Sequence, residues 1–294
     1  MTFFIQLLAT GLMVGCVYSL VALGFVLIYR SSQVFNFAQG SLVMLGGYLI
    51  WTFMVWIGLP MWLGVLVGLA ASGVVGYIID RFTIRPLIGQ PLLSIILLTL
   101  GLYVLIDALV VAIWGGGEKA YPQLFSQLGM SLGGISLPYQ YIGAFVIALV
   151  LFGIFTLFLQ RTKIGLAMRA ASESHKLAQS TGISVKAIFS WSWVIAAVVA
   201  AAGGFLLGNM NGLSLSLSAI GLRAFPVVLL GGVESVRGCI VAGPIVGILE
   251  IVGAGYLNQY VGGGMADVIP YVVLVLILVI RPYGLFGETR IERI

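Results

Sequence analysis

The ionisable side chains able to do chemistry are few, and their apolar surroundings limit what that chemistry is. Asp107 lies inside the apolar run 92–114, and Glu250 lies inside the run that follows Gly243-Pro244. A carboxylate in such a run needs a proton, a cation, a polar solute or a hydrogen-bonding group on another helix, because hydrocarbon leaves its charge unsolvated. From sequence, contact with a solute and contact with a neighbouring helix or interfacial water both stay open. No nucleophile or metal cluster is legible. His175 is the single histidine and has no second ligand nearby, and Cys16 and Cys239 sit apart in apolar runs as packing residues. H-E-x-x-H and G-x-S-x-G are absent, and so is G-x-x-x-x-G-K-[ST], so ATP-driven work would have to come from another subunit.

Two segments carry polar or helix-breaking residues where the flanking pattern is apolar. Asn36-Phe37-Ala38-Gln39-Gly40-Ser41 opens a helix near membrane depth. Its amides belong against other helices or along a wet path, unless the segment is a simple N-cap at the interface. Phe225-Pro226 through Leu230-Gly231-Gly232 is the second. About ten residues at ~1.5 Å each reach halfway across a bilayer, which predicts a re-entrant half-helix. Glu234 and Arg237, on its polar exit, have a spacing that allows an ion pair. The two segments share a loose pattern, Met44-Leu45-Gly46-Gly47 against Leu229-Leu230-Gly231-Gly232, and would be entered from opposite sides, which suggests an inverted repeat. Repeats of that kind bring broken helices together around a midplane pathway. The candidate lining is therefore Asn36, Phe37, Gln39, Gly40, Asp107, Pro226, Gly231 and Gly232.

The elements that must hold these residues follow from composition. The chain has 294 residues, 61% hydrophobic and 8% charged, with mean hydropathy +1.17. Soluble domains carry about 25% charged residues, so water cannot be the main solvent here. Apolar runs near 3–29, 36–57, 62–82, 92–114, 139–160, 187–210, 239–256 and 266–281 predict an all-α polytopic membrane protein of about eight spans, one transmembrane domain over 1–294. The first run is too long for a signal-peptide core and has no basic residue before it, so it is expected to stay as a helix. Spacings such as Gly64/Gly68 and Gly73/Gly76 allow close helix contact.

The net charge of +5 is a statement about topology rather than about nucleic acid. With the N-terminus outside, Arg30, Arg81, Arg85, Arg161, Lys163, Arg169, Lys176, Lys186, Arg281, Arg290 and Arg293 fall on cytoplasmic loops, while Lys119 and Arg223 fall outside. That bias orients the N-terminus out and the C-terminus in. The outer stretch 115–138 then offers Trp114, Tyr121, Tyr139 and Tyr141 as interfacial anchors, and is either a docking surface or an ordinary connector. The cytoplasmic loop 161–186 reads as a helix with Ala167, Met168, Ala170, Ala171, Leu177 and Ala178 on its apolar face and Gly182 at its end. It either transmits force from a soluble partner or rests on lipid headgroups.

Four motifs identify a resemblance that covers nearly the whole chain. They are 15–29 with Asn36-Phe37-Ala38-Gln39-Gly40, Gly165-x-Ala167-x-Arg169-Ala170 continuing to Ala178-x-x-x-Gly182-Ile183, Leu230-Gly231-Gly232-Val233-x-Ser235, and Arg281-Pro282-x-Gly284-Leu285-Phe286-Gly287. The chain resembles the high-affinity branched-chain amino acid permease family of ABC transporters. The resemblance implies that Gly165, Ala167, Arg169, Ala170, Ala178, Gly182 and Ile183 form the loop that docks on an ATPase. Lys176-Leu177 stands where relatives often have an acidic residue before the alanine. It further implies a bacterial inner-membrane permease rather than an enzyme. The expected partners are a second permease subunit, two cytoplasmic ATPase subunits that bind ATP and Mg, and a periplasmic solute-binding protein. No cofactor is expected on this chain. The implied cargo is branched-chain or related amino acids, with urea, short amides or aromatic acids as alternatives. An ion-coupled secondary transporter is the rival that a repeat and an intramembrane acid also suit.

Overall fold

Backbone groups in hydrocarbon have no partner but their own chain, so each apolar run becomes a helix. A computed structural model describes residues 2–87, 89–122, 129–132, 135–173, 175–281 and 283–287. Its helices are α1 (Thr2–Ser32), α2 (Gln39–Trp51, prolonged by a π-helical turn to Trp56), α3 (Met61–Ile79, prolonged by a second π-helical turn through Asp80–Ile84), α4 (Leu92–Trp114) and α5 (Tyr139–Arg161). They continue as α6 (Lys163–Glu173), α7 (His175–Ser180), α8 (Val185–Asn211), α9 (Ser216–Leu222), α10 (Ala224–Gly231), α11 (Val236–Val261) and α12 (Met265–Ile280). A short antiparallel hairpin, β1 (Gly129–Leu132) and β2 (Ile135–Pro138), precedes α5.

All eight apolar runs are helical. Among the described residues seven helices are long and apolar enough to cross a membrane, whereas the run 266–281 forms α12, with 16 residues. Pro60, Pro91 and Pro138 precede α3, α4 and α5 in extended conformation, and Ser184 and Ser235 cap α8 and α11 with their hydroxyls. Pro282, Arg290, Arg293 and the side chains of His175, Lys176 and Leu177 lie outside the described residues.

Buried α1 and α8 form the centre and run antiparallel, with Gly24 beside Ala196 and Gly203 beside Val21. Helix α11 closes on α1 until backbones touch: a Cβ on Gly15 would lie 2.3 Å from the Gly243 carbonyl oxygen, and one on Gly247 would lie 2.4 Å from that of Gly11. Gly76 of α3 meets the Trp193 carbonyl of α8 in the same way, at 2.5 Å. Helix α2 follows α8, with Gly46 against Ala201, and α10 follows α1, where Phe225 packs on Phe25. Exchanging α1, α2, α3 and α4 for α8, the α9–α10 pair, α11 and α12 reproduces these contacts. Because α1 and α8 are antiparallel, the repeat is inverted.

The four-residue match that suggested the repeat is not its register. Gly46 and Gly47 lie inside α2, whereas Gly231 ends α10 and Gly232 lies beyond it at φ 100°. The broken helices instead cross at Gly40 and Gly221, where a Cβ on Gly221 would lie 2.8 Å from the Gly40 Cα.

The described part of 115–138 is pinned to the bundle. Lys119 and Leu213 exchange backbone hydrogen bonds of 2.8 and 2.9 Å, Trp51 donates to the Ala120 carbonyl at 2.9 Å, and the Tyr121 hydroxyl donates to the Gly47 carbonyl at 2.7 Å. Tyr121 and Trp114 are thus core residues rather than interfacial anchors. Burial pushes the Tyr121 phenol well above its ordinary ionisation range.

Candidate translocation and coupling sites

The crossing of α2 and α9 brings together residues far apart in sequence. At Gly40 a Cβ would lie 2.3 Å from the Ser218 carbonyl oxygen, so this close approach requires glycine. Ser41 and Ser218 are then 3.1 Å apart, and both reach Asp107 on α4: Ser41 donates to its Oδ1 at 2.6 Å and Ser218 to the same atom at 3.2 Å. Sequence singled out Asp107 and Gly40 and missed the two serines. Asp107 is half-buried.

Asn36 and Gln39 are buried against other helices. Asn36 accepts from the Ala38 amide at 3.1 Å, which opens α2, and donates to Gln39, whose own amide nitrogen reaches the Ala196 carbonyl at 3.4 Å. Asn36 also borders a cavity of about 270 Å³ shared with Gln33, Gln90, Thr99 and Trp193. Phe37 lies against Phe225 at 6.0 Å between ring centroids, beside the Phe35–Phe225 pair at 5.3 Å.

Glu250 has partners on neighbouring elements. It is buried and accepts from Tyr18 of α1 at 3.1 Å and from Arg223 at 2.6 Å, and Arg223 bridges onward to Asp267 at the start of α12. Arg223, counted above with the outer loops, instead occupies the break between α9 and α10 with its side chain only 15% exposed. A second buried acid, Asp80, is held by Arg85 at 2.9 Å and by Ser190 of α8. The Glu234–Arg237 ion pair is not formed; Glu234 accepts from Gln33 at 3.4 Å.

Gly231 and Gly232 serve backbone contact rather than a cavity. A Cβ on Gly231 would lie 2.6 Å from the Gly238 carbonyl carbon, and one on Gly232 would lie 2.6 Å from the Gly287 nitrogen. The Leu285 amide donates to the Leu230 carbonyl at 2.7 Å and the Phe286 amide to that of Gly231 at 3.2 Å. Two motifs of the sequence, Leu230-Gly231-Gly232 and Gly284-Leu285-Phe286-Gly287, therefore clasp each other. Pro226 is buried within α10.

The loop 161–186 is helical over Lys163–Glu173 and His175–Ser180. Gly165 of α6 abuts the end of α5, where a Cβ would meet the Leu159 carbonyl, and Arg169 donates back to that same carbonyl. Met168, Ala171 and Ala178 are buried, Ala167 and Ala170 are half-buried, and Leu166 is exposed. After α7, the Gly182 amide donates to the Gln179 carbonyl and the Ile183 amide to the Ala178 carbonyl, each at 3.0 Å, with Gly182 at φ 83°. This is the glycine-terminated helix stop with its paired backbone bonds. Ala178 and Gly182 thereby shape the turn, and Gln179 to Gly182 stand exposed at its tip.

Residues 7–278 match the family described as the permease component of branched-chain amino acid transport systems. The chain is 33% identical to the high-affinity branched-chain amino acid transport system permease protein BraD of Pseudomonas aeruginosa, over 99% of this chain and 98% of that protein. It is 29% identical to the corresponding permease protein LivH of Escherichia coli, again over 99% and 98%. A probable branched-chain amino acid transport permease of Methanocaldococcus jannaschii is 31% identical over 91% of this chain and 88% of that protein. Among solved structures, PsaBC from Streptococcus pneumoniae in complex with Fab aligns with TM-score 0.50 at 15% identity, covering 95% of this chain and 91% of that one, a likeness of fold alone.

Proposed function

The chain belongs to the family of permease components of branched-chain amino acid transport systems, and from that premise we propose that it forms half of the translocation pathway of an ABC importer for branched-chain or related amino acids. In this reading it sits in the bacterial inner membrane with its N-terminus periplasmic and its C-terminus cytoplasmic. It pairs with a second permease subunit, receives cargo from a periplasmic solute-binding protein and is driven by two cytoplasmic ATPase subunits, which bind the ATP and Mg.

The observation that carries this reading is the helical segment made of α6 and α7. It joins two helices of spanning length, α5 and α8, is anchored to α5 through Gly165 and Arg169, and ends in the turn at Gly182. A push on the exposed tip would reach both spans through short, stiff connections. Gly182→Ala strains the left-handed turn by about 1 kcal/mol, and Arg169→Gln removes the grip on Leu159. With assembled ATPase subunits, both variants are expected to lower substrate-stimulated ATP hydrolysis in vesicles. Intact assembly with unchanged stimulation would refute the coupling role.

The α2–α9 crossing is the proposed contact with cargo. Asp107 is held by hydroxyls, whereas the buried acids Asp80 and Glu250 are held by arginines. Hydroxyls can rotate and exchange partners, so the carboxylate suits the ammonium group of a passing amino acid.

A further inference from the structure

The start of α8, directly after the Gly182 turn, is tied to the end of α3 by three side chains. Asp80 is fully buried at the head of the π-helical turn Asp80–Ile84, a geometry that recurs at functional sites. Arg85 follows that turn and divides its guanidinium: Nε donates to Oδ2 of Asp80 at 2.9 Å, and Nη2 donates to the hydroxyl of Ser190 in the second turn of α8. The Ser190 hydroxyl in turn donates to the same Oδ2. The other carboxylate oxygen, Oδ1, is buried without a hydrogen-bond partner among the described residues.

A second state of this tie is built in. A guanidinium fits a carboxylate best when two nitrogens meet two oxygens, so moving Nη2 of Arg85 from Ser190 to Oδ1 satisfies the orphaned acceptor. Ser190 has another acceptor waiting, since its oxygen already lies 3.3 Å from the Lys186 carbonyl one turn back. The first state ties α3 to α8, and the second satisfies each helix within itself. An element with two discrete arrangements is what passes a movement from one place to another.

The tie also borders a cavity. Ile84 and Phe189, the chain neighbours of Arg85 and Ser190, both line the space of about 270 Å³ beside Asn36. Leu92, Ile95 and Thr99 in the first turns of α4 form another of its walls. Helix α4 packs chiefly on α2, where Ser41 meets Tyr103 and Asp107 further along, so its first turns depend on the connection that begins at Arg85.

We propose that Arg85 and Ser190 are positioning residues, and that the switch of Arg85 between Ser190 and Asp80 passes movement of the α6–α7 segment to this wall, opening the cavity to cargo. The opening rests on the coupling role given above to α6 and α7, whereas the switch itself is tested on the chain alone. The purified full chain carrying Ile95→Cys is labelled with N-ethylmaleimide; Cys16 and Cys239 are buried, so the rate reports position 95. Ser190→Ala removes the tie and leaves the ion pair, and should speed labelling about fivefold, the factor that one hydrogen bond is worth, at an unchanged melting temperature. Ser190→Thr keeps the hydroxyl and should restore the slow rate. Ile113→Cys, at the far end of α4, should label at the same rate with and without Ser190→Ala. In vesicles with assembled ATPase subunits, Ser190→Ala should lower uptake per ATP hydrolysed about fivefold, a ratio that a merely structural serine would not move. Unchanged labelling at position 95 in folded Ser190→Ala, or equal acceleration at positions 95 and 113, overturns the switch. Lowered stimulation in Gly182→Ala with normal uptake per ATP in Ser190→Ala removes the switch from transport and leaves the coupling role standing. Unchanged stimulation in Gly182→Ala overturns the coupling role and with it the opening, and labelling at position 95 then decides the switch alone.

Discussion

The seam between α1 and α11 and the crossing of α2 with α9 both depend on glycine, but they use the close approach differently. Along the seam, Gly11 and Gly15 interlock with Gly243 and Gly247, and the acid nearby, Glu250, is fixed by an arginine and a tyrosine. At the crossing, Gly40 and Gly221 bring two serines to Asp107, which has no arginine within ion-pair distance among the described residues. An acid neutralised by arginine is committed to holding helices together. One held by hydroxyls is free to change partners, so the first arrangement reads as architecture and the second as the proposed contact with cargo.

The largest expected effect lies on the seam. Gly15→Leu would drive a branched side chain into the Gly243 carbonyl, which a Cβ alone already approaches to 2.3 Å. Overpacking of buried contacts costs about 1–3 kcal/mol and more when backbone must move, so the variant should fail to accumulate in the membrane. Gly101→Leu on α4, where a Cβ would meet nothing within 4 Å, should accumulate normally. Equal yields on immunoblots of the two would break the distinction.

Next come the two acids. Glu250→Ala leaves Arg223 without its buried partner, and removing one member of a buried pair costs about 3–5 kcal/mol. The purified protein should melt markedly earlier. Asp107→Asn keeps a hydrogen-bonding group of the same shape and should shift stability by less than about 1 kcal/mol, yet reduce amino acid uptake in reconstituted vesicles at least about tenfold. A variant of Asp107 that melts like Glu250→Ala, or one that transports normally, would erase the contrast between architecture and site.

How much of this was legible in the sequence depends on the range of each contact. Helices, their proline-led starts and the Gly182 stop are set by residues within a turn or two, and the sequence announces them. Asp107 stands out because a charge in an apolar run is costly. Ser41 and Ser218 do not, because serine is common at helix contacts and these two lie 66 and 111 residues from their acid. Arg223 looked like a loop charge because nothing local reveals that its helix breaks beside Glu250, 27 residues on. The clasp between Gly232 and Gly287 escaped for the same reason: each motif is visible, but its partner is another motif rather than a ligand.

The smallest effect separates the two hydroxyls at the crossing. Ser41 makes the shorter bond to Asp107, at 2.6 Å, and also reaches the Tyr103 carbonyl, whereas Ser218 is 3.2 Å from the acid. Hydrogen bonds between membrane helices are worth about 0.6 kcal/mol on average, so Ser218→Ala should leave the melting temperature nearly unchanged. Removing the weaker hydroxyl leaves the carboxylate with one fixed partner and a freer oxygen. A passing ammonium group would then meet less competition on entry and less help on release. Uptake by Ser218→Ala is therefore expected to show a lower KM together with a lower maximal rate, a split that a purely structural serine would not produce. If both parameters stay at the wild-type value, Ser218 packs the crossing without tuning Asp107.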